Sequence, residues 1–270
     1  MRVIVDAHHH LWDLSVRDQP WITDDRIRRT FTVDDLAAVA HVDATVVVQT
    51  VSVADETPEL LALADPLVAG VVGWVDLTAA DVADRLAELR CERLVGIRHQ
   101  VQDEPDPRWL CRPDVRSGLA AVAREGLVYD LLTLPEQLPA AIETVRALPE
   151  AQFVLDHLSK PPIASGELEP WAARIRELAA HENVACKLSG MVTEANWAAW
   201  SVDDLRPYVE VVLDAFGPER LLFGSDWPVC LLAASYEAVV DAAEQLTAQL
   251  SAAEREQIFG GSARRIYTLR

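Results

Sequence analysis

Short apolar runs alternate along the chain with longer stretches in which apolar residues return every three or four positions, the rhythm of buried strands followed by amphipathic helices. The first run leads directly into His8, His9 and His10, and further strands are expected at 44–51, 68–77, 94–101, 127–133, 153–159, 183–189 and 221–225. Between them the spacing predicts helices over 57–64, 78–90, 135–148, 168–181 and 202–216, with another ending at Glu125. Thr32, with Asp35 three residues on, reads as a helix cap. Segments 14–30, 102–113 and 190–200 are polar or proline-containing and read as loops, the first as a long active-site loop. Pro161 and Pro162 forbid a direct run from the sixth strand into a helix, and Asp226-Trp227-Pro228 stops the eighth. Eight strands, each followed by a helix, is the accounting of an α/β protein of the (β/α)8 TIM-barrel type, here one domain over residues 1–270. An open doubly wound sheet is the alternative, but no strand is followed by a glycine fingerprint for a nucleotide.

The polar residues favour the barrel, because they gather at strand carboxyl ends: His8 and His10, Arg98 and His99, His157 and Lys160, Lys187, and Asp226. In a barrel those ends form one mouth, so residues far apart in sequence become neighbours. Alternate side chains of a strand share a face, so His8 and His10 converge while His9 looks elsewhere. A tag-like histidine-rich tail is the other reading of the triplet, and its hydrophobic lead-in argues against that.

Composition narrows the partners. Lys and Arg number 24 against 43 Asp and Glu, giving a formal charge of −19 with no basic run, so nucleic acid and anionic membrane would be repelled. No apolar run reaches about 18 residues, and no charged-then-apolar signal pattern opens the chain. Cys91, Cys111, Cys186 and Cys230 show neither C-x-x-C nor zinc-ribbon spacing and read as reduced core fillers. The expectation is a soluble, cytoplasmic protein with a small-molecule partner; oligomeric state is left open. Asp226 is the candidate general base, since an ordinary aspartate is ionised at neutral pH; the competing reading is a cap for the turn before Pro228.

His-x-His closing the first strand and an aspartate ending the eighth resemble the amidohydrolase superfamily. More narrowly, Gly96-Ile97-Arg98-His99, Tyr129-Asp130-Leu131-Leu132, Asp156-His157 with Lys160-Pro161, the stretch from Lys187 to Trp197, and Gly224-Ser225-Asp226-Trp227-Pro228-Val229 are similar to the sugar-lactone hydrolase branch. That branch includes L-fuconolactonases, L-rhamnonolactonases and enzymes that open pyrone-dicarboxylate lactones. The resemblance spans essentially the whole chain. It implies that Asp226 activates water while His8, His10 and His157 polarise the lactone carbonyl, directly or through one metal. A single zinc-like ion on His8, His10 and Asp226 and a metal-free site are both open. A bridged pair of ions is not expected, because Tyr129 and Asp130 stand where metal-rich relatives place a histidine, and Arg98 and His99 where some place a bridging lysine or glutamate. Arg98, His99, Lys160, Lys187 and Tyr129 are the expected substrate-binding residues, although the cations can instead pair with Asp130 or Asp156. Trp12 and Trp227 are expected to wall a deoxy-sugar edge, and Glu194 and Trp197 resemble family residues. The implied reaction opens a neutral sugar 1,4- or 1,5-lactone to the aldonic acid. The alternatives are metal-dependent decarboxylation of an aromatic or muconate-type acid and a non-catalytic sugar-acid binding barrel.

Overall fold

The strands β1 (Val5–His9), β2 (Ala44–Val48), β3 (Val68–Gly73), β4 (Leu94–His99), β5 (Val128–Leu131), β6 (Phe153–Leu155), β7 (Val184–Leu188) and β8 (Leu221–Phe223) pair in sequence order, each parallel to the next. This is a computed structural model, and it describes residues 3–270. Just past the end of β8 the circle closes: the Asp226 N–H donates to His8 O at 2.8 Å, and the His10 N–H donates to Trp227 O at 2.7 Å. The sheet is therefore a (β/α)8 barrel, as the alternation of patterns predicts.

Side-chain parity sorts the residues into two cores. Val46, Val48, Val72, Val128, Val154, Ala185 and Leu222 point into the barrel with Val5 and Ala7, and Tyr267 and Leu269 join the same cluster from the end of the chain. The alternate positions, among them Val47, Val71, Ile97, Tyr129, Phe153, Cys186 and Phe223, pack outward against the helices. Each fully buried Val, Leu or Phe contributes about 1.5–3 kcal/mol through apolar area removed from water. Two residues beyond Val128, Val154 and Ala185, the same parity turns Asp130, Asp156 and Lys187 inward, and all three are buried.

β1 breaks the alternation. Its register with β2 shifts between Asp6 and His9, and a bulge of this kind re-aims the following side chains. His8 turns inward after Ala7, His9 turns outward to Thr45 Oγ1 at 2.9 Å, and His10 turns inward again.

The helices begin where their caps dictate. Thr32 and Asp35 form a reciprocal capping box on Val33–Ala37, Ser201 and Asp204 another on Val202–Phe216, and Pro113 occupies the first turn of Pro113–Arg124. The helices expected over 57–64, 78–90 and 168–181 are shorter, at Glu56–Leu61, Val82–Leu89 and Trp171–Ala179, because residues such as Thr78 are held in turns by their own Asp neighbours. The strand expected over 153–159 stops at Leu155, where the backbone enters a left-handed turn. After β8 come Tyr236–Leu246, Ala252–Glu256 and Ser262–Ile266. The loop after β1 is closed at its base by reciprocal Trp12 and Phe31 backbone bonds of 3.2 and 2.9 Å. Among the described residues no helix is long and apolar enough to cross a membrane.

Candidate active site

Asp226 lies where β8 meets β1. Its backbone is left-handed, with φ 58°, and Asp6 shapes the turn around it. The Asp6 carboxylate accepts from Ser225 N (2.9 Å) and His8 N (3.2 Å) through Oδ1, and from Ser225 Oγ (2.6 Å) and Tyr236 OH (3.1 Å) through Oδ2. Burial pushes Asp6 up to about 6 against the pull of those donors.

His157 opens a run of four left-handed residues, His157, Leu158, Ser159 and Lys160, with φ of 52, 55, 58 and 49°. Such a conformation costs about 1–2 kcal/mol per non-glycine residue and persists only when its surroundings over-determine it. They do so here: Trp171 Nε1 donates to Leu158 O at 2.7 Å, Ser159 Oγ bonds Thr133, and His157 Nδ1 meets Ser189 Oγ at 2.9 Å. Gly190 makes room for the imidazole, since a Cβ there would stand 2.5 Å from His157 Nδ1.

The four residues converge. Asp226 Oδ1 lies 3.5 Å from His10 Nε2, 3.7 Å from His8 Nε2 and 3.8 Å from His157 Nε2, and the two Nε2 atoms of His8 and His10 are 3.1 Å apart. Burial pushes the Asp226 carboxyl up, but His157, His10 and Lys160 outweigh it and hold the group below its ordinary value. Burial lowers His157 to about 4 despite the opposing pull of Asp226 and Asp156. It also drives His8 well below the usual imidazole range. The result is a carboxylate beside the neutral imidazoles of His8 and His157.

His10, His157, Asp226 and Arg98 line the floor of a cavity of about 270 Å³. Thr50, Gln100, Lys160 and Glu194 add polar groups to its lining, and Trp21, Leu132, Trp197 and Val229 add apolar ones. Lys160 stands 4.0 Å from Glu194, whose carboxyl burial pushes up against that attraction. Beneath the floor, sealed from the cavity, Lys187 bridges Asp130 at 2.5 Å and Asp156 at 2.9 Å, while Arg98 donates to Asp156 at 3.1 Å.

Several residues expected in the mouth lie elsewhere, for reasons of parity and burial. Trp12 borders a separate apolar cavity of about 320 Å³, with its Nε1 donating to Arg29 O at 2.6 Å, and Trp227 packs on Phe31 with ring centroids 5.2 Å apart. The tryptophans that do border the cavity are Trp21 and Trp197. His99 alternates outward from Arg98, stacks on Trp109 at 4.3 Å and bonds Glu104 at 2.7 Å. Tyr129 alternates outward from Asp130 and packs on Phe153. Lys187 adopts the structural pairing. His8 is fully buried behind His10 and His157 and touches the cavity residues without lining it. Cys186 and Cys230 are buried, whereas Cys91 is exposed and fills no core. Thr50 and Gln100 escaped the sequence reading although each falls just past a strand end; Trp21 carried no signal beyond its place in the first long loop.

The sequence profile of the amidohydrolases matches residues 5–269. The chain belongs to this amidohydrolase family. It is 43% identical over 284 residues to an L-fucono-1,5-lactonase of Burkholderia multivorans (strain ATCC 17616 / 249), spanning 98% of this chain and 96% of that protein. It is 41% identical over 279 residues to another of that name from Burkholderia ambifaria, spanning 98% and 95%. A crystal structure of an amidohydrolase from Burkholderia multivorans with bound zinc superposes with a TM-score of 0.95 at 41% identity, covering 99% of this chain and all (100%) of that one.

In this amidohydrolase the donor atoms fit a single metal ion. His8, His10 and Asp226 form one cluster of ligand atoms, and His8, Asp156 and His157 another that shares His8. In the first, the separations of 3.1, 3.5 and 3.7 Å bracket the edge of roughly 3.4 Å expected for a tetrahedron with metal–ligand bonds of about 2.1 Å. Two imidazole nitrogens and one carboxylate, with His10 and Asp226 lining the cavity, are the kind of three-ligand set that a catalytic zinc takes. In the second cluster Asp156 is already committed to Lys187 and Arg98.

Proposed function

We propose that this amidohydrolase hydrolyses a neutral sugar 1,5-lactone of the L-fucono type to the open aldonic acid. The observation that carries the reading is the ionised Asp226 among three imidazoles at a cavity lined by both polar and apolar side chains. The volume suits a single sugar ring, and the mixed lining suits a ring that carries both hydroxyls and a methyl group. The names of the two Burkholderia relatives point the same way.

Asp226 accepts a proton from a water molecule as its oxygen attacks the lactone carbonyl carbon. With the Ser189 hydroxyl donating to Nδ1, neutral His157 carries its proton on Nε2, facing the cavity, and donates to the oxygen that gains negative charge. Arg98, held by Asp156 and Gln49, adds fixed positive charge at the floor. Collapse of the tetrahedral intermediate breaks the bond to the ring oxygen, and Asp226 returns its proton there, so that one water is added in total. Lys160, Gln100 and Thr50 supply hydrogen bonds for hydroxyls, and Trp21 and Trp197 an apolar wall. If an ion is used, His8, His10 and Asp226 would hold one zinc-like cation, which would polarise the carbonyl.

A panel of fucono-, rhamnono-, galactono- and arabinono-lactones followed with a pH indicator, beside aromatic carboxylates monitored for carbon dioxide, tests the reading. Acid release is expected, fastest with L-fucono-1,5-lactone; carbon dioxide release in its place would overturn it. The pH profile gives a second check. His157 must be neutral and Asp226 ionised, and both are shifted below their ordinary values, His157 to about 4. Activity is therefore retained as pH falls past 6 and is lost only as it approaches 4. An acid limb near the ordinary imidazole value of about 6.5 would contradict this assignment.

A further inference from the structure

Thr50 and Gln100 line the main cavity, and the directions of their hydrogen bonds are fixed by residues that the reaction does not use. Glu56 opens the short helix after β2 and is buried; it borders the separate apolar cavity and not the main one. Its Oε1 accepts from Thr50 N at 2.9 Å and from Thr50 Oγ1, and its Oε2 accepts from Thr50 N at 3.0 Å and Val51 N at 3.1 Å. Two backbone N–H groups and a hydroxyl converging on one carboxyl is the bonding of a carboxylate, which can only accept. The single hydroxyl proton of Thr50 is therefore committed to Glu56, and the oxygen keeps only lone pairs for a molecule in the cavity. Gln100 is fixed by the same logic. Thr50 O accepts from the Gln100 amide at 2.7 Å, so the amide nitrogen faces it and the amide oxygen faces Ser52, whose hydroxyl donates at 2.9 Å. Gln100 is left with one N–H and one lone pair to offer.

We propose that Glu56 makes Thr50 a fixed hydrogen-bond acceptor toward the substrate, so that the site selects a lactone with a hydroxyl, and not a carbonyl, carboxylate or unsubstituted carbon, at the position Thr50 meets. The proposal rests on the lactone reading above and adds to it the polarity of one contact. A hydroxyl at that position donates to Thr50. A group that only accepts brings lone pair against lone pair, and an unsubstituted carbon leaves the buried oxygen without a donor, so both are rejected. Thr50 and Glu56 are both buried, and bulk water does not relax the demand. Substrate oxygens that meet the Lys160 ammonium or the Gln100 N–H are under no such demand, because those groups donate. Glu56 is thus a positioning residue, acting through Thr50 from outside the cavity, as Ser52 acts through Gln100. Lactones oxidised to a carbonyl or a carboxylate at the carbon that Thr50 meets are accordingly poor substrates.

The experiment compares kcat/KM for L-fucono-1,5-lactone with that for its monodeoxy and monofluoro analogues, since a C–F group accepts weakly and cannot donate. At one ring carbon the fluoro and deoxy analogues are both expected to lose about tenfold, the effect of one hydrogen bond. Thr50→Val removes the acceptor and is expected to slow the parent lactone by a similar factor while leaving those two analogues nearly unchanged. In Glu56→Gln the amide oxygen stays with the backbone N–H groups of Thr50 and Val51, and the NH2 turns to Thr50 Oγ1. The freed hydroxyl proton then points into the cavity, and the fluoro analogue is expected to recover relative to the deoxy one, a reversal that a merely structural glutamate would not produce. Fluoro analogues tolerated at every carbon, or Thr50→Val slowing parent and analogues alike, would overturn the proposal. Wild type and Thr50→Val decide the matter if Glu56→Gln does not fold. NMR of the substrate-free protein separates this outcome from failure of the lactone reading. The Thr50 hydroxyl proton is expected to resist exchange with water and to give its own resonance, absent in Thr50→Val; a rapidly exchanging hydroxyl overturns the proposal even if no lactone is opened.

Discussion

Asp226→Asn is expected to lower kcat for lactone opening by about three orders of magnitude, within the range found when a positioned general base is removed. The amide preserves size and the backbone bond from Asp226 N to His8 O, so the turn survives and KM stays within a few-fold. The side chain no longer takes the proton of the attacking water, and only the loss from the transition state should register. Initial rates at saturating and limiting lactone separate the two terms, and an unchanged melting temperature verifies the fold. Retention of more than about a tenth of kcat, a loss of less than roughly 1.4 kcal/mol, would place the base elsewhere.

Gly190→Ala is expected to have the second largest effect, although Gly190 itself does not line the cavity and acts only through His157. Gly190 has φ +64°, and the added Cβ would sit 2.5 Å from His157 Nδ1, 2.6 Å from Cγ and 2.9 Å from Cβ. The imidazole cannot stay, and misplacing a reacting group by about an ångström costs on the order of a hundredfold in rate. Gly166→Ala supplies the control. Its φ is +73°, but nothing lies within 4 Å of the new Cβ, so it pays only the left-handed penalty of about 1–2 kcal/mol. A fall in kcat for Gly190→Ala no larger than for Gly166→Ala would show that the fit between Gly190 and His157 has no bearing on turnover.

The barrel was legible because its two periodicities are written in the chain: β-branched runs of two-residue parity, and helices such as Val202–Phe216 whose bounds follow from Ser201, Asp204 and Gly217. His8, His10, His157 and Asp226 were legible as a group because all stand at strand carboxyl ends. The reading applied parity to His8, His9 and His10 but not to the later strands. Arg98 and His99 cannot both face the barrel axis, nor can Tyr129 and Asp130, and a stricter count from Val128 would have sent Tyr129 outward. Trp12 and Trp227 were chosen for standing beside catalytic residues, yet a neighbour in sequence often points away. The β1 bulge and the left-handed run from His157 to Lys160 were not legible, since no glycine marks either and both are imposed by tertiary contacts. Trp21 and Trp197 reach the cavity on loops whose path depends on the packing of distant segments.

The join between β8 and β1 also determines when in the life of the chain this protein becomes competent. The bonds that complete the circle, Asp226 N to His8 O and His10 N to Trp227 O, are made by the residues of the site itself, one set near the beginning of the chain and the other after its last strand. A chain that stops short of Asp226 lacks both these closing bonds and the carboxylate at the centre of the site. Loop closure over so long a separation comes late, because the ordering of everything between must largely precede it. Competence for turnover and completion of the barrel are therefore one event, and recovery of activity reports the final step of assembly rather than the appearance of secondary structure.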